Sequence, residues 1–535
     1  MDNLARNLAQ RVNVGDLLTR SAARSPNKTA LIDGARRFSF QQFNTWSNRL
    51  ANGLSSLGYK PGDSLALMSD NCAEFLVTYF ACAKLGAVCV PINLFWRDKE
   101  IAYVLEHASV KGAIVGHNRL DQFLSGTQSS AAVCDVFVIG DEFEAQRLPS
   151  QFLVRTFEAL CSDQSEQEPA HLIDDRAPLS YLYTSGTTSA PKGVVGNHLA
   201  VYLNSLGTAI DTRMSDRDCV AAFMPMFHTA QLNAICTPAI AVGASICIMK
   251  GFETAALLDA IERESLSVLF ALPMMYRSLV EEQQARPRGI ASLRLAVYAM
   301  AVMPEPELRA ALDTLGCDFS LMFGQTEMSP VATFFRPEHQ LSHPGAVGTP
   351  AVNVQVSIMD DEGRLLPQGQ MGEIVYRSPQ TLTGYLDNEK ATEEAFRFGW
   401  FHSGDIGHFD ADGILWFHDR NKDVIKSGGE NISSLEIEKA LYEIEPNITE
   451  VAVIGLPHER WTEAVTAVVV TRPGANLDEA DLLARLRNVI SPFKCPKAIV
   501  FVNQLPKTAT GKIQKAELRK EFKKFFDNSG STPER

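Results

Sequence analysis

One stretch of the chain gathers the groups that hold phosphate: Leu182-Tyr-Thr-Ser-Gly-Thr-Thr-Ser-Ala-Pro-Lys-Gly-Val-Val195. Thr184, Ser185, Thr187, Thr188 and Ser189 carry hydroxyls, and Lys192 adds a positive charge. Gly186 and Gly193 let backbone N–H groups approach an oxyanion closely. These donors suit a polyphosphate. A Walker A loop needs G-x-x-x-x-G-K-[ST], whereas here Pro191 precedes the lysine and Gly193 follows it.

Further clusters accompany it. Met224-Pro-Met-Phe-His228 ends on a histidine in an apolar setting, which by itself is more often a satisfied core residue than a functional one. Phe323-Gly-Gln-Thr-Glu327 places a hydroxyl beside a carboxylate. Trp400-Phe-His-Ser-Gly-Asp405 ends on a carboxylate after glycine. Asp419-Arg-Asn-Lys-Asp423, Lys426-Ser-Gly-Gly-Glu-Asn431 and Pro506-Lys-Thr-Ala-Thr-Gly-Lys512 complete the set. His339 and His343 have a helical metal-ligand spacing, but Pro344 follows with no acidic partner beyond it, and we read them as surface.

Together these stretches, from about Ser39 to Lys515, resemble the adenylate-forming superfamily of acyl-CoA synthetases, luciferases and peptide-synthetase adenylation domains. The resemblance implies an α/β fold. A large N-terminal region of parallel layers with a β-rich subdomain, residues 1–420, precedes a small mobile α+β domain, 421–535. It implies a carboxylic acid, ATP and CoA as substrates and Mg²⁺ as the metal. Thr326 would bond the α-phosphate, Glu327 would hold Mg²⁺, a hard cation suited to carboxylate oxygen, and Phe323-Gly324 would face adenine. Asp405 would accept the ribose hydroxyls, and Arg420 would contact ribose or phosphate. His228 would sit at the mouth of the acyl pocket, Lys422 in the hinge, and Gly428 and Gly429 on the path of the pantetheine arm. Lys512 would bridge carboxylate and α-phosphate during adenylation. Two positions depart from the family: Ser189 stands where glycine is usual, and Phe323 where tyrosine is usual.

The acid is less constrained. Where many relatives carry Gly-Gly-Ala-Pro along the pocket wall, this chain reads Ala299-Met-Ala-Val302. Met300 fills volume that glycine leaves open, which favours a short- or medium-chain acid, with an aryl acid as the alternative. Ser189, Pro273-Met-Met275 and the absent glycine pair resemble the crotonobetaine/carnitine-CoA ligase branch. Other readings are an adenylation enzyme loading a carrier protein, a luciferase-like oxygenase, and a nucleotide-binding regulator without turnover. Retained Lys192, Glu327, Arg420 and Lys512 argue against the last.

Behind these residues lie alternating strand and helix patterns. Strands are expected at 64–68, 87–92, 112–115, 179–183, 219–224, 245–249 and 268–272. Helices are expected through Phe43, Trp46, Leu50 and Leu54, and at 73–85, 99–107, 234–242 and 255–262. Such alternation indicates parallel sheets. Residues 162–177 form an acidic, weakly patterned separator. Gly- and Asp-rich turns at 360–372 and 398–413 indicate hairpins. A compact module then follows: helices at 434–442, 478–489 and from Ala516, with strands at 448–455, 464–471 and 499–502.

At 535 residues, 45% hydrophobic and 21% charged, the chain has the composition of a globular protein of more than one domain. A net charge of −13 argues against nucleic acid or an anionic membrane as the main partner. Ten cysteines without a C-x-x-C pair, no signal-like start and no membrane-spanning apolar run lead us to expect reduced thiols and a cytoplasmic location. A homodimer is one assembly open to it.

Overall fold

The computed structural model describes residues 3–127, 133, 135–140, 152–184, 191–301, 303–428, 430–475, 477–507 and 513–526. The chain forms two compact units, residues 1–356 with 376–401, and residues 357–375 with 402–535. Arg420, the end of the N-terminal region expected from sequence, closes the strand Leu415–Arg420 within the second unit.

The first unit is built on two large sheets. In the nine-stranded sheet, Asp318–Gly324, Leu295–Tyr298, Val268–Ala271, Cys219–Ala222, Ser245–Ile248 and Thr29–Asp33 lie side by side and parallel. In the eight-stranded sheet the parallel core runs Pro178–Thr184, Val88–Pro91, Ser64–Met68, Val110–Gly116, Asp135–Ile139 and Leu153–Thr156. Central strands such as Ser64–Met68 are buried at every position, as parallel sheets covered on both faces require. Helix Ala73–Leu85 is likewise buried throughout, so its sequence is mostly apolar and its buried charges, Glu74 and Lys84, are paired.

Two expectations are corrected. The apolar segment 234–242 is not one α-helix: a π-helical turn, Leu232–Cys236, precedes the helix Thr237–Val242. Polar side chains inside this run are engaged. Gln231 reaches back to the chain before it, and Thr237 donates to the Asn233 carbonyl (3.0 Å). The acidic stretch 162–177 is not a separator but a belt. Asn48 and Asn52 donate to the carbonyls of Glu166 and Ser165 (2.9 and 2.8 Å), and buried Lys84 pairs with Glu168 at 2.5 Å. The carboxylates of Glu166 and Glu168 face polar groups of helices Phe40–Ser56 and Ala73–Leu85.

The second unit holds the hairpins expected from the turn chemistry, with Phe401–Phe409 antiparallel to Leu415–Arg420. It also holds a sheet in which Ile448–His458 pairs antiparallel with Thr462–Thr471, and Ala498–Phe501 runs parallel to the latter. Helices Ser434–Ile444 and Glu479–Leu486 cover one apolar cluster of this sheet, and helix Lys515–Glu521 packs on another. Nine cysteines are described and all are free, eight of them buried. Among the described residues no helix is long and apolar enough to cross a membrane.

Candidate active site

Four adjacent parallel strands of the larger sheet end in the motifs singled out from sequence. Cys219–Ala222 leads to 224–228, Val268–Ala271 to 273–275, Leu295–Tyr298 to 299–301, and Asp318–Gly324 to 325–327. Ligands of open α/β sheets bind outside such carboxyl ends. In the other sheet, three neighbouring strands end at 69–71, at 92–96 and at the hydroxyl-rich loop.

Asn71 joins the two sets of ends. Its amide donates to the carbonyls of Ala222, Met224 and Met249 at 3.2, 2.9 and 3.2 Å, and its oxygen accepts from Met226 N at 3.0 Å. Gln231 accepts from Met224 N at 3.2 Å. The segment bearing His228 is therefore pinned from two directions. The His228 ring lies against Phe227, with centroids 4.5 Å apart. Its Nε2 is shut off from solvent and has no hydrogen-bond partner among the described residues. Burial lowers its pKa to about 4, so the imidazole is neutral at pH 7 and can meet a polar atom of a substrate.

Lys192 stands opposite Thr184 in the register of the antiparallel pair Pro178–Thr184 and Lys192–Asn197. Its Nζ lies 5.1 Å from the centre of the Tyr385 ring, and the Tyr385 hydroxyl donates to Glu327 Oε1 at 3.1 Å. Burial, then Glu327, raise the Tyr385 pKa, so the hydroxyl stays a donor. One tyrosine thus bridges the lysine and the carboxylate. The Glu327 backbone oxygen accepts from Leu382 N at 2.7 Å. Glu327 is half-buried, and its Oε2 carries no hydrogen bond among the described residues. One oxygen anchored and one open suits a hard divalent cation.

The chain around Thr326 is set by close backbone approach. A Cβ at Gly324 would lie 2.0 Å from the Pro330 carbonyl oxygen. Gln380 donates to the carbonyls of Met328 and Val331 at 3.1 and 2.5 Å, bracing the segment after Glu327. Phe323 is half-buried at the strand end. Met300 adopts a left-handed conformation, φ 72°, with its side chain 54% exposed.

In the second unit, Asp405 and Arg420 are register partners on adjacent strands, with Nε 3.3 Å from Oδ1. Asp405 is almost wholly buried. Asp419 Oδ2 accepts from Ser434 N at 2.7 Å and Ser434 Oγ at 2.5 Å. Asp423 pairs with Arg519 (2.8 Å), and Lys422, just before Asp423, is exposed. Gly428 takes φ 62°, and its N–H donates to the Trp461 carbonyl at 2.9 Å. Ser185, Gly186, Thr187, Thr188, Gly429 and Lys512 lie outside the described residues.

Motif reading missed Asn71, Gln231, Tyr385 and Gln380. An amide just after a wholly buried strand is a signal for Asn71; Tyr385 has no comparable local one.

The chain matches the AMP-binding enzyme family over residues 18–386, and the AMP-binding enzyme C-terminal domain over residues 436–512. It is 33% identical to a feruloyl-CoA synthase from Amycolatopsis sp, over 95% of this chain and 99% of that protein. It is 32% identical to an indoleacetate–CoA ligase from Aromatoleum aromaticum, over 95% and 98%. Among solved structures, ATP-bound MatB from Rhodopseudomonas palustris superposes with a TM-score of 0.86 at 28% identity, covering 96% of this chain and 100% of that one. These relatives do not single out the carnitine branch.

Proposed function

Because the chain belongs to the AMP-binding enzyme family and is an AMP-forming acid–CoA ligase, we propose the following division of labour among its residues. Lys192 and the hydroxyls of Thr184, Ser185, Thr187 and Thr188 hold the ATP phosphates. Thr326 bonds the α-phosphate, Phe323 and Gly324 face adenine, and Asp405 and Arg420 hold ribose. A carboxylate oxygen attacks the α-phosphorus, the bond to the bridging oxygen of pyrophosphate breaks, and an acyl-adenylate forms. Lys512 gathers negative charge at that meeting point, where removing such a donor costs ~10²–10³ in rate. Bound at Glu327, Mg²⁺ supplies charge neutralisation at the phosphate oxygens.

In the second half-reaction the CoA thiol, having lost its proton, attacks the acyl carbonyl, and the bond to AMP breaks. Turning of the C-terminal module about Lys422 removes Lys512 and opens a path along Gly428 and Gly429. His228 presents its unpartnered Nε2 to the acyl group. The observation that carries the reading is the Lys192–Tyr385–Glu327 array, with Glu327 and His228 each following the carboxyl end of a parallel strand of the larger sheet.

For the acid we propose a compact body, aromatic first, because the feruloyl and indoleacetate enzymes are similar along nearly the whole chain. The second reading is a short- or medium-chain acid, favoured by the exposed Met300 side chain at the end of its strand. The experiment is a panel of aryl and straight-chain acids with ATP, MgCl₂ and CoA. AMP, pyrophosphate and a thioester are expected for the preferred acid; ADP and phosphate without AMP would overturn the assignment.

A further inference from the structure

Lys192 also lines a cavity of about 340 Å³ that lies wholly in the first unit. Its walls are the last turns of helix Asp98–His107, the start of strand Lys192–Asn197 and the segment 385–394. None of 224–228, 273–275, 299–301 or 323–327 borders it, so it lies apart from the segments proposed for the acid and for adenine.

The walls hold one another without any ligand. Leu386 N–H donates to the Gly193 carbonyl at 2.8 Å, and Tyr385 is the register partner of Val194. A Cβ at Gly193 would lie 3.2 Å from the Leu386 side chain, so strand and segment meet closely. Tyr103 stacks on His107, ring centroids 5.1 Å apart, and the Tyr183 hydroxyl lies 2.8 Å from His107 Nδ1. Burial raises the Tyr183 pKa, and no other acceptor for its proton stands among the described residues. Nδ1 therefore accepts, and the ring proton of His107 sits on Nε2.

What the cavity offers is mostly donors. His107 brings Nε2–H, and Lys192 and Lys390 bring ammonium groups. Lys390 is exposed and takes part in no ion pair among the described residues. Asn388 Oδ1 accepts from Ala391 N at 3.0 Å, which leaves its amide N–H groups to a ligand. Glu394, itself exposed, is the single carboxylate on the described lining. In a chain of net charge −13, such a local surplus of donors selects a small polyanion.

Resting on the proposed role of Lys192 at the ATP phosphates, the polyanion set free beside that lysine is pyrophosphate. Left in line with the α-phosphorus, it can attack the acyl-adenylate and re-form ATP. Drawn into the adjoining cavity, it cannot. We propose that this cavity is a holding site for released pyrophosphate, with Lys390 and His107 Nε2–H as its own donors and Lys192 shared with the ATP site. No covalent bond is made or broken in the transfer. The anion exchanges one set of charge-assisted hydrogen bonds for another.

The test uses the full-length enzyme and compares wild type with Lys390→Ala, Lys390→Arg and His107→Phe, which keeps a ring against Tyr103. Pyrophosphate with MgCl₂ is titrated into AMP-saturated enzyme. Its Kd should weaken about five- to tenfold in Lys390→Ala, the range of one charge-assisted hydrogen bond at an exposed site. His107→Phe should lose a similar or smaller factor, and Lys390→Arg should recover most of the loss. The Kd for ATP without acid should stay within about twofold, which also reports an intact fold. An equal loss for ATP would place its terminal phosphates in the cavity and overturn the proposal. Orthophosphate binding as tightly as pyrophosphate, and losing the same factor, would make the cavity an unselective anion site and equally overturn it. An unchanged Kd for pyrophosphate in Lys390→Ala overturns it directly. Wild-type enzyme with no acid-dependent ATP–pyrophosphate exchange would instead remove the functional reading beneath it.

Discussion

In the first unit the motif segments are fixed by uncharged amides: Asn71 and Gln231 on the stretch before His228, and Gln380 on the stretch after Glu327. In the second unit the stretch 418–434 is fixed by charged groups instead. Asp419 accepts from Ser434, Asp423 pairs with Arg519, and Glu438 pairs with Lys515 at 2.7 Å. A buried amide satisfied on both sides leaves no alternative partner, so it suits a wall that must not move. Carboxylates and cations accept several geometries and can exchange partners with water. That suits the stretch around Lys422, which we propose as the hinge. Register reinforces the contrast, since the first unit's segments continue central parallel strands and the hinge follows the edge strand Leu415–Arg420.

The contrast breaks most sharply at Lys512. Lys512→Ala should lower acid-dependent ATP–pyrophosphate exchange by ~10²-fold or more, while transfer from pre-formed acyl-adenylate to CoA is retained. Equal loss of both half-reactions would mean that no turning of the C-terminal module divides the work.

Asn71→Ala tests the fixed wall. Three carbonyls and one N–H each lose a hydrogen bond in a buried site, so the protein should lose about 2 kcal/mol of stability, read by denaturant unfolding. Both half-reactions should slow together, because His228 is displaced in each. Ser434→Ala, in the second unit, should alter the ratio of the two half-reactions instead. If Asn71→Ala also skews that ratio, the division between fixed wall and hinge is wrong.

Acid stability gives a third handle, through two buried histidines of the first unit. Buried His198, whose Nδ1 accepts from Val14 N at 3.3 Å, has its pKa lowered to about 3 by desolvation, and that of His228 lies at about 4. The unfolded chain takes up these protons near pH 6.5, and the folded chain only well below it. Their contribution to stability is therefore complete above about pH 6.5 and is lost as pH falls toward 4 and 3. The slope is on the order of 1 kcal/mol per pH unit for each histidine. His198→Asn should flatten the decline in unfolding free energy between pH 6 and 5; an unchanged slope would assign it elsewhere.

Met300→Gly carries the smallest effect. Glycine accepts the left-handed backbone that methionine occupies at a cost, so the variant should be equal or more stable by about 1 kcal/mol. Its acid profile should move toward longer or bulkier acids with KM for ATP unchanged. An unmoved profile would place the Met300 side chain away from the acid.

Much of this was legible in the sequence where local order suffices. Strand 64–68 and helix 73–85 lie where periodicity and burial pattern placed them, because an apolar run bounded by turn residues has few other places to go. The stretches to which we assign phosphate and carboxylate were visible because that chemistry demands hydroxyls, glycine and lysine close together in the chain. The π-helical turn at Leu232–Cys236 and the belt at 162–177 were not, because both are set by side chains bonding to partners distant in sequence or in conflict with local period. Tyr385 meets Lys192 and Glu327 across more than fifty residues in each case, and Asn71 reaches a segment on another sheet. The sequence thus determined which groups we propose for the chemistry and which elements carry them. Tertiary structure alone decided what holds them, because hydrogen-bond partners between sheet ends are chosen by strand order, which leaves no mark on any single stretch.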